Sequence, residues 1–113
     1  MSASTFRIAF WLCALIVLAL ALLPPSTSMP TTGWDKSNHM LAFATLALLA
    51  RRAWPGRGWA ILICLVGYGV LIEWLQSLTP YRDADAIDVV ADSIGILLGL
   101  AVEAGLRRVR RSV

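Results

Sequence analysis

Four apolar runs, each closed by charged, Pro or Gly residues, leave this chain little choice but a bundle of helices in a lipid bilayer. The runs extend from Ile8 to Leu23, His39 to Ala50, Trp59 to Leu78 and about Ile87 to Leu106. A bilayer core ~30 Å thick takes about 20 helical residues, and inside it each backbone N–H and C=O must be paired within its own segment. Charged residues make up only 15% of the 113 residues and hydrophobic ones 58%. A soluble domain carries about 25% charged residues, so a water-soluble fold would expose too much apolar surface. The expected fold is all-α, a polytopic membrane protein of about four transmembrane helices.

The boundaries follow from local chemistry. Arg7 precedes the first run and Pro24-Pro25 stop it. A basic start before an apolar stretch is also the form of a signal peptide, and Ala19-Leu20-Ala21 faintly resembles a cleavage site. The length of the run and its Pro-Pro stop favour an uncleaved first helix. Residues 24 to 37 are rich in Pro, Ser, Thr and Gly and read as a loop, with Ser37 or Asn38 able to cap the next helix. That second run is short: Trp34 to Ala50 is 17 residues, or ~26 Å. Arg51 and Arg52 close it, and AWPGRG makes a tight turn. The third run holds Glu73 and Gln76. A buried acid costs about 2.5–3.5 kcal/mol on insertion scales and each Leu or Ile returns about 0.5, so this run carries Glu73 into the membrane. TPYRDADA (79–86) is a second polar loop, and RRVRR follows the fourth run. No loop is long enough for a soluble domain, and residues 1–113 read as one membrane domain.

Charge placement sets the orientation and excludes one class of partner. The net charge is +3, but the basic residues sit in short clusters beside apolar runs, which is a topology signal and not a nucleic-acid face. With the N-terminus inside, Arg7, Arg51, Arg52, Arg57, Arg107, Arg108, Arg110 and Arg111 lie inside, eight of the ten basic residues. Lys36 and Arg82 lie outside. The expectation is N-in, C-in in a bacterial cytoplasmic membrane. Trp34, Trp54, Trp59 and Trp74 fall near helix ends, as in an interfacial belt. Cys13 and Cys64 lie inside apolar runs and read as inert thiols.

Six of the seven acidic residues then gather toward the outer face: Asp35, Glu73, Asp83, Asp85, Asp88 and Asp92. Asp83 and Asp85 fit a solvated loop; the rest fall on helices at helical spacing. Asp35 and Lys36 share the face of His39, with Phe43 continuing inward. Gly69, Glu73, Gln76 and Pro80 form a row on the third helix. Asp85, Asp88, Asp92, Gly95, Gly99 and Glu103 form a row on the fourth. Gly95 and Gly99 make a GxxxG helix-packing pair on the acidic face, so this face meets a neighbouring helix and not lipid. Glu103, four residues before Arg107, fits an i,i+4 ion pair.

Ionisable groups inside a membrane mark function by default, and three chemistries suit this set. His39 with Glu73, Asp88 or Asp92 can act as general acid and base. Asp35, His39, Glu73, Asp88 and Asp92 offer mixed N and O ligands for a divalent metal, although no specific metal motif is present. Lys36 and Arg82 can hold a phosphate or carboxylate, with Gln76 and Asp35 as further binding groups.

The stretch DKSNHMLAF, followed by IEWLQSLTPYRDADAIDVVADSIGILLG, resembles the VanZ-like family of small bacterial membrane proteins over about residues 34–100. The family shows Asp-Lys-x-x-His, here Asp35, Lys36 and His39. It continues with Glu-x-x-Gln, here Glu73 and Gln76, then an Arg-containing loop, here Arg82. Asp-x-x-x-Asn before a Gly-rich helix corresponds to Asp88 and Gly95, with Asp92 where many members have Asn. That departure adds a negative charge, or a proton shared with Asp88. The resemblance implies a cell-envelope protein, and the family's name comes from a member associated with resistance to the glycopeptide teicoplanin.

The leading expectation is an envelope protein whose outward-facing polar site binds, and in one version processes, a lipid-linked or cell-wall-related ligand, with membrane lipids and a lipid-linked precursor as partners. The alternatives are a proton or cation transport component, for which so small a chain would assemble as a homo-oligomer, and a structural or interaction protein without a ligand.

Overall fold

The computed structural model describes residues 2–23, 35–80 and 85–112, without the side chain of Asp35. They form four helices, α1 (Ala3–Leu22), α2 (Asp35–Ala53), α3 (Gly58–Ser77) and α4 (Ala86–Ser112), and no strand occurs among the described residues. Ser2 caps α1 by accepting the Thr5 N–H at 3.3 Å. Between α2 and α3 the chain reverses through Pro55-Gly56, where Gly56 has φ +80°; only a residue without Cβ takes that conformation without penalty.

α1, α3 and α4 are long and apolar enough to cross a membrane. α2 is not among them, because its two ends carry Lys36, His39, Arg51 and Arg52. It occupies the middle of the bundle, packed most extensively on α4, then on α1 and α3. Phe43, Leu46, Ala47 and Ala50 on α2 are buried. The outward surface is instead made by Ile8, Leu12 and Leu15 of α1, Ile63 and Leu71 of α3, and Ile94, Leu97 and Leu98 of α4. A helix that touches protein on most sides does not need the hydropathy that lipid demands.

Two helices run past the ends expected from the sequence. α2 continues through Arg51 and Arg52 to Ala53, and α4 continues through its Arg cluster to Ser112. Arginine is a good helix former, and cations in the last turn complement the helix dipole, so a basic cluster ends the apolar run without ending the helix.

The contact between α2 and α4 is close. A Cβ built on Gly95 would lie 2.9 Å from Met40 Cα, and one built on Gly99 would lie 2.9 Å from Ala47 Cβ. The two backbones can meet here only because these positions lack a side chain.

The bundle is polar at both ends and apolar between. At one end stand the C-termini of α1 and α3 and the N-termini of α2 and α4, tied by Gln76 Nε2 donating to Ala21 O at 2.9 Å. At the other end Arg7 Nε donates to Ala53 O at 3.1 Å. There Arg52 lies 4.5 Å over the Phe6 ring. Glu103 is fully buried at this end. The pair with Arg107 is present, at 3.4 Å, but Arg110 approaches to 3.0 Å and Arg52 of α2 to 3.7 Å. Trp59 and Trp74 are exposed near opposite ends of α3. Trp54 is half-buried, edge-on to Phe10 and Trp11. Trp34 lies outside the described residues.

The packing predicts opposite signs for two Gly→Ala changes on α4. Gly99→Ala drives a methyl into Ala47 and the α2 backbone and lowers stability by about 1–3 kcal/mol. At Gly105, where a Cβ meets open space, the same change raises stability by up to about 1 kcal/mol through helix propensity. Thermal unfolding of the two variants in detergent reads both.

Candidate functional site

The polar end is built by three helices whose buried faces carry one ionisable row each. On α4, Asp88 and Asp92 sit one turn apart beside Ala91 and Gly95, all buried. On α3, Glu73 shares the buried face with Gly69, Ile72 and Gln76. On α2, Lys36 and His39 lie one turn apart above Phe43.

The pairing is specific. His39 Nδ1 lies 2.8 Å from Asp92 Oδ1, and its Nε2 lies 3.6 Å from Asp88 Oδ2. Lys36 Nζ donates to Asp85 Oδ2 at 3.0 Å and makes a second, short contact with Asp88 Oδ1. Glu73 Oε2 accepts the backbone N–H of Asp85 at 2.9 Å, while Glu73 Oε1 is buried without a hydrogen-bond partner. Ligand atoms of His39, Glu73 and Asp88 all lie within 4.8 Å of one another. Gly69 makes room for the arrangement: a Cβ there would lie 2.6 Å from Asp92 Oδ2. Asp85, before the first turn of α4, is held below the usual carboxylate range by the Ile87 N–H and then by Lys36.

Of the residues singled out in the sequence, Lys36, His39, Glu73, Asp88 and Asp92 converge here. Gln76 is buried on the same face of α3 but gives an amide hydrogen to α1. Gly95 and Gly99 lie deeper, against α2. Arg82 and Asp83, and the side chain of Asp35, lie outside the described residues. Asp85 keeps the part-solvated loop position expected from the sequence, its side chain 43% exposed, and also joins Lys36 of α2 to Glu73 of α3. It stands immediately before α4, on the row that Asp88 and Asp92 continue, which was the signal available in the sequence.

Chemically the set resembles an oriented base. A carboxylate on one imidazole nitrogen fixes the ring and turns the other nitrogen toward further carboxylates, an arrangement suited to proton transfer or to ligation. Among the described side chains, Lys36 faces four carboxylates (Glu73, Asp85, Asp88 and Asp92), so the end is acidic.

A helical bundle with an apolar exterior and an acidic-imidazole cluster at one end defines a small membrane protein with a polar site at helix-end depth. Its residues 23–106 match the VanZ/LLP1 family model. The chain belongs to that family. No curated protein and no solved structure matches it.

The geometry predicts strong coupling between Lys36 and Asp88. Lys36→Met leaves Asp88 buried beside other carboxylates and lowers stability. Adding Asp88→Asn recovers part of the loss, with a coupling energy of about 0.5–3 kcal/mol in a double-mutant cycle of thermal unfolding.

Proposed function

We propose that this protein is a cell-envelope protein of the bacterial cytoplasmic membrane whose acidic-imidazole end faces outward and binds the polar head of a lipid-linked or cell-wall-related ligand. The observation that carries the reading is the convergence of His39, Glu73 and Asp88 from three helices, with ligand atoms within 4.8 Å. Helix packing alone does not require three ionisable groups at one point, and buried charges are costly to hold.

Two further features support it. Arg7, Arg52, Arg107 and Arg110 gather at the opposite end, through contacts with Ala53, Phe6 and Glu103, as the positive-inside rule asks of a cytoplasmic face. Beside the acidic end, Leu71 and Trp74 of α3, Leu78 just after it, and Ile87 and Val90 of α4 are exposed. A ligand with a lipid tail can lie along this apolar flank while its head reaches the cluster. Membership of the VanZ/LLP1 family extends the reading to glycopeptide susceptibility as the phenotype to examine.

The test is lipid mass spectrometry on protein purified in mild detergent, paired with complementation of a deletion strain. Wild type retains a polyprenyl- or other lipid-linked phosphate species. His39→Ala and Glu73→Gln lose it by tenfold or more and fail to restore envelope phenotype at equal protein level. Full complementation by both variants, with an unchanged lipid profile, would sink the proposal. Orientation is read separately: a green fluorescent protein fused after Val113 should fluoresce, as it does only on the cytoplasmic side.

A further inference from the structure

We infer that His39, Glu73 and Asp88 form a binding site for a divalent transition-metal ion, held by one imidazole nitrogen and two carboxylate oxygens. This deepens the ligand reading above and rests on it for the metal's role, but not for its binding.

Glu73 carries the first observation. The residue is only 6% exposed. Oε2 takes the Asp85 N–H, and Oε1 has no hydrogen-bond partner. A buried carboxylate oxygen without a donor is expensive, and here it belongs to a residue whose neighbours are an imidazole and another carboxylate. A cation between them satisfies it.

The orientation of His39 is the second. Asp92 Oδ1 sits 2.8 Å from Nδ1, the outer-shell carboxylate that commonly fixes the ring of a metal-bound histidine. Nε2 is thereby turned to Asp88 Oδ2, at 3.6 Å. Lys36 engages the other oxygen of Asp88, which leaves Oδ2 directed into the cluster. The donors lie within 4.8 Å of one another. An ion bound at ~2.0–2.2 Å holds its donors at most ~4.4 Å apart, a contraction that small carboxylate rotations supply.

The donor set selects the ion class. Calcium and magnesium favour all-oxygen shells, whereas one imidazole with two carboxylates suits zinc, manganese or ferrous iron. Three protein donors leave coordination positions open. The metal also resolves a difficulty of charge. Among the described side chains Glu73, Asp85, Asp88 and Asp92 outnumber Lys36 and His39, and a divalent cation offsets that negative charge and can bind a phosphate oxygen directly.

The experiment uses the full chain in mild detergent, stripped with chelator and titrated with Co²⁺ alone, followed by visible d–d absorption. Wild type should take up one equivalent with a spectrum of nitrogen and oxygen ligation. Glu73→Gln and His39→Gln, each with wild-type helicity and gel-filtration profile, should bind at least tenfold more weakly, with Asp88→Asn replacing either variant that fails to fold. Glu103→Gln, at the other end of the bundle, should bind as wild type. No saturable uptake by wild type, or equal affinity in the variants, overturns the site. Retention of a lipid-linked species by chelator-treated protein that takes up no Co²⁺ would overturn the metal and leave the ligand reading standing. Stoichiometric Co²⁺ binding lost in the variants, with full complementation by those variants, would uphold the metal and reject the ligand reading.

Discussion

The close approach of the α2 and α4 backbones at Gly95 and Gly99 is the constraint on which the rest depends. In lipid there is no hydrophobic force between apolar helices, and association comes from close packing and polar contacts across the interface. With a Cβ on Gly95 or Gly99 the helices could not stand where Met40 and Ala47 now stand against α4. Within one turn of the Gly95 contact the same approach brings His39 onto Asp92, and about a turn further it brings Lys36 onto Asp88. Packing and polar site are therefore one interface. The glycines set the distance, and the charged pairs fix the register.

Each described buried carboxylate has a donor or cation from elsewhere. Asp88 meets Lys36 of α2, Asp92 meets His39, and Glu73 receives the N–H of Asp85. Glu103 is enclosed by Arg107 and Arg110 of its own helix and by Arg52 of α2. A buried ion pair gives little net stability against an apolar alternative, but losing one partner is costly. Such pairs thus penalise wrong helix arrangements more than they strengthen the right one. Among the described side chains, cations outnumber the carboxylate they surround at the Glu103 end, and the imbalance is reversed at the Glu73 end. Glu73 Oε1 and Glu103 Oε2 are both buried without a hydrogen-bond partner. Glu103 Oε2 faces the Arg52 cation at 3.7 Å, whereas among the described residues Glu73 has an imidazole and a carboxylate beside it.

Much of this architecture was legible in the residues. The four helices follow from the apolar runs and their Pro, Gly and Arg stops. The inward acidic face of α4 follows from Asp88, Asp92, Gly95 and Gly99 falling on one row. What spacing along one helix cannot state is which neighbour that row meets. Glu103 shows the gap: four-residue spacing finds Arg107, while Arg52 is 51 positions away in the chain. Gln76 shows it as well, since nothing local indicates that its amide ties α3 to the end of α1. The burial of α2 was hidden for a related reason. Its hydropathy is weak because other helices, not lipid, surround it, and a hydropathy argument sees only the deficit.

The interior between the two polar ends narrows the function further. Phe43 and Leu46 of α2, Leu65 and Ile72 of α3, and Ile96 of α4 are buried in one apolar cluster. Tyr68 on that level is turned to the Ala14 carbonyl of α1. A proton or cation crossing one copy of the chain would have to pass this layer without a relay, at the desolvation cost that keeps isolated charges out of hydrocarbon. The described groups able to bind or react are thus confined to the helix ends. Glu73 lies one turn from the end of α3, and Asp88 lies in the first turn of α4. Both positions lie at the ends of helices and not at their middles. A cluster at one helix end, beside an apolar flank, suits the proposed binding of an amphipathic molecule's head better than the passage of a solute across the bilayer.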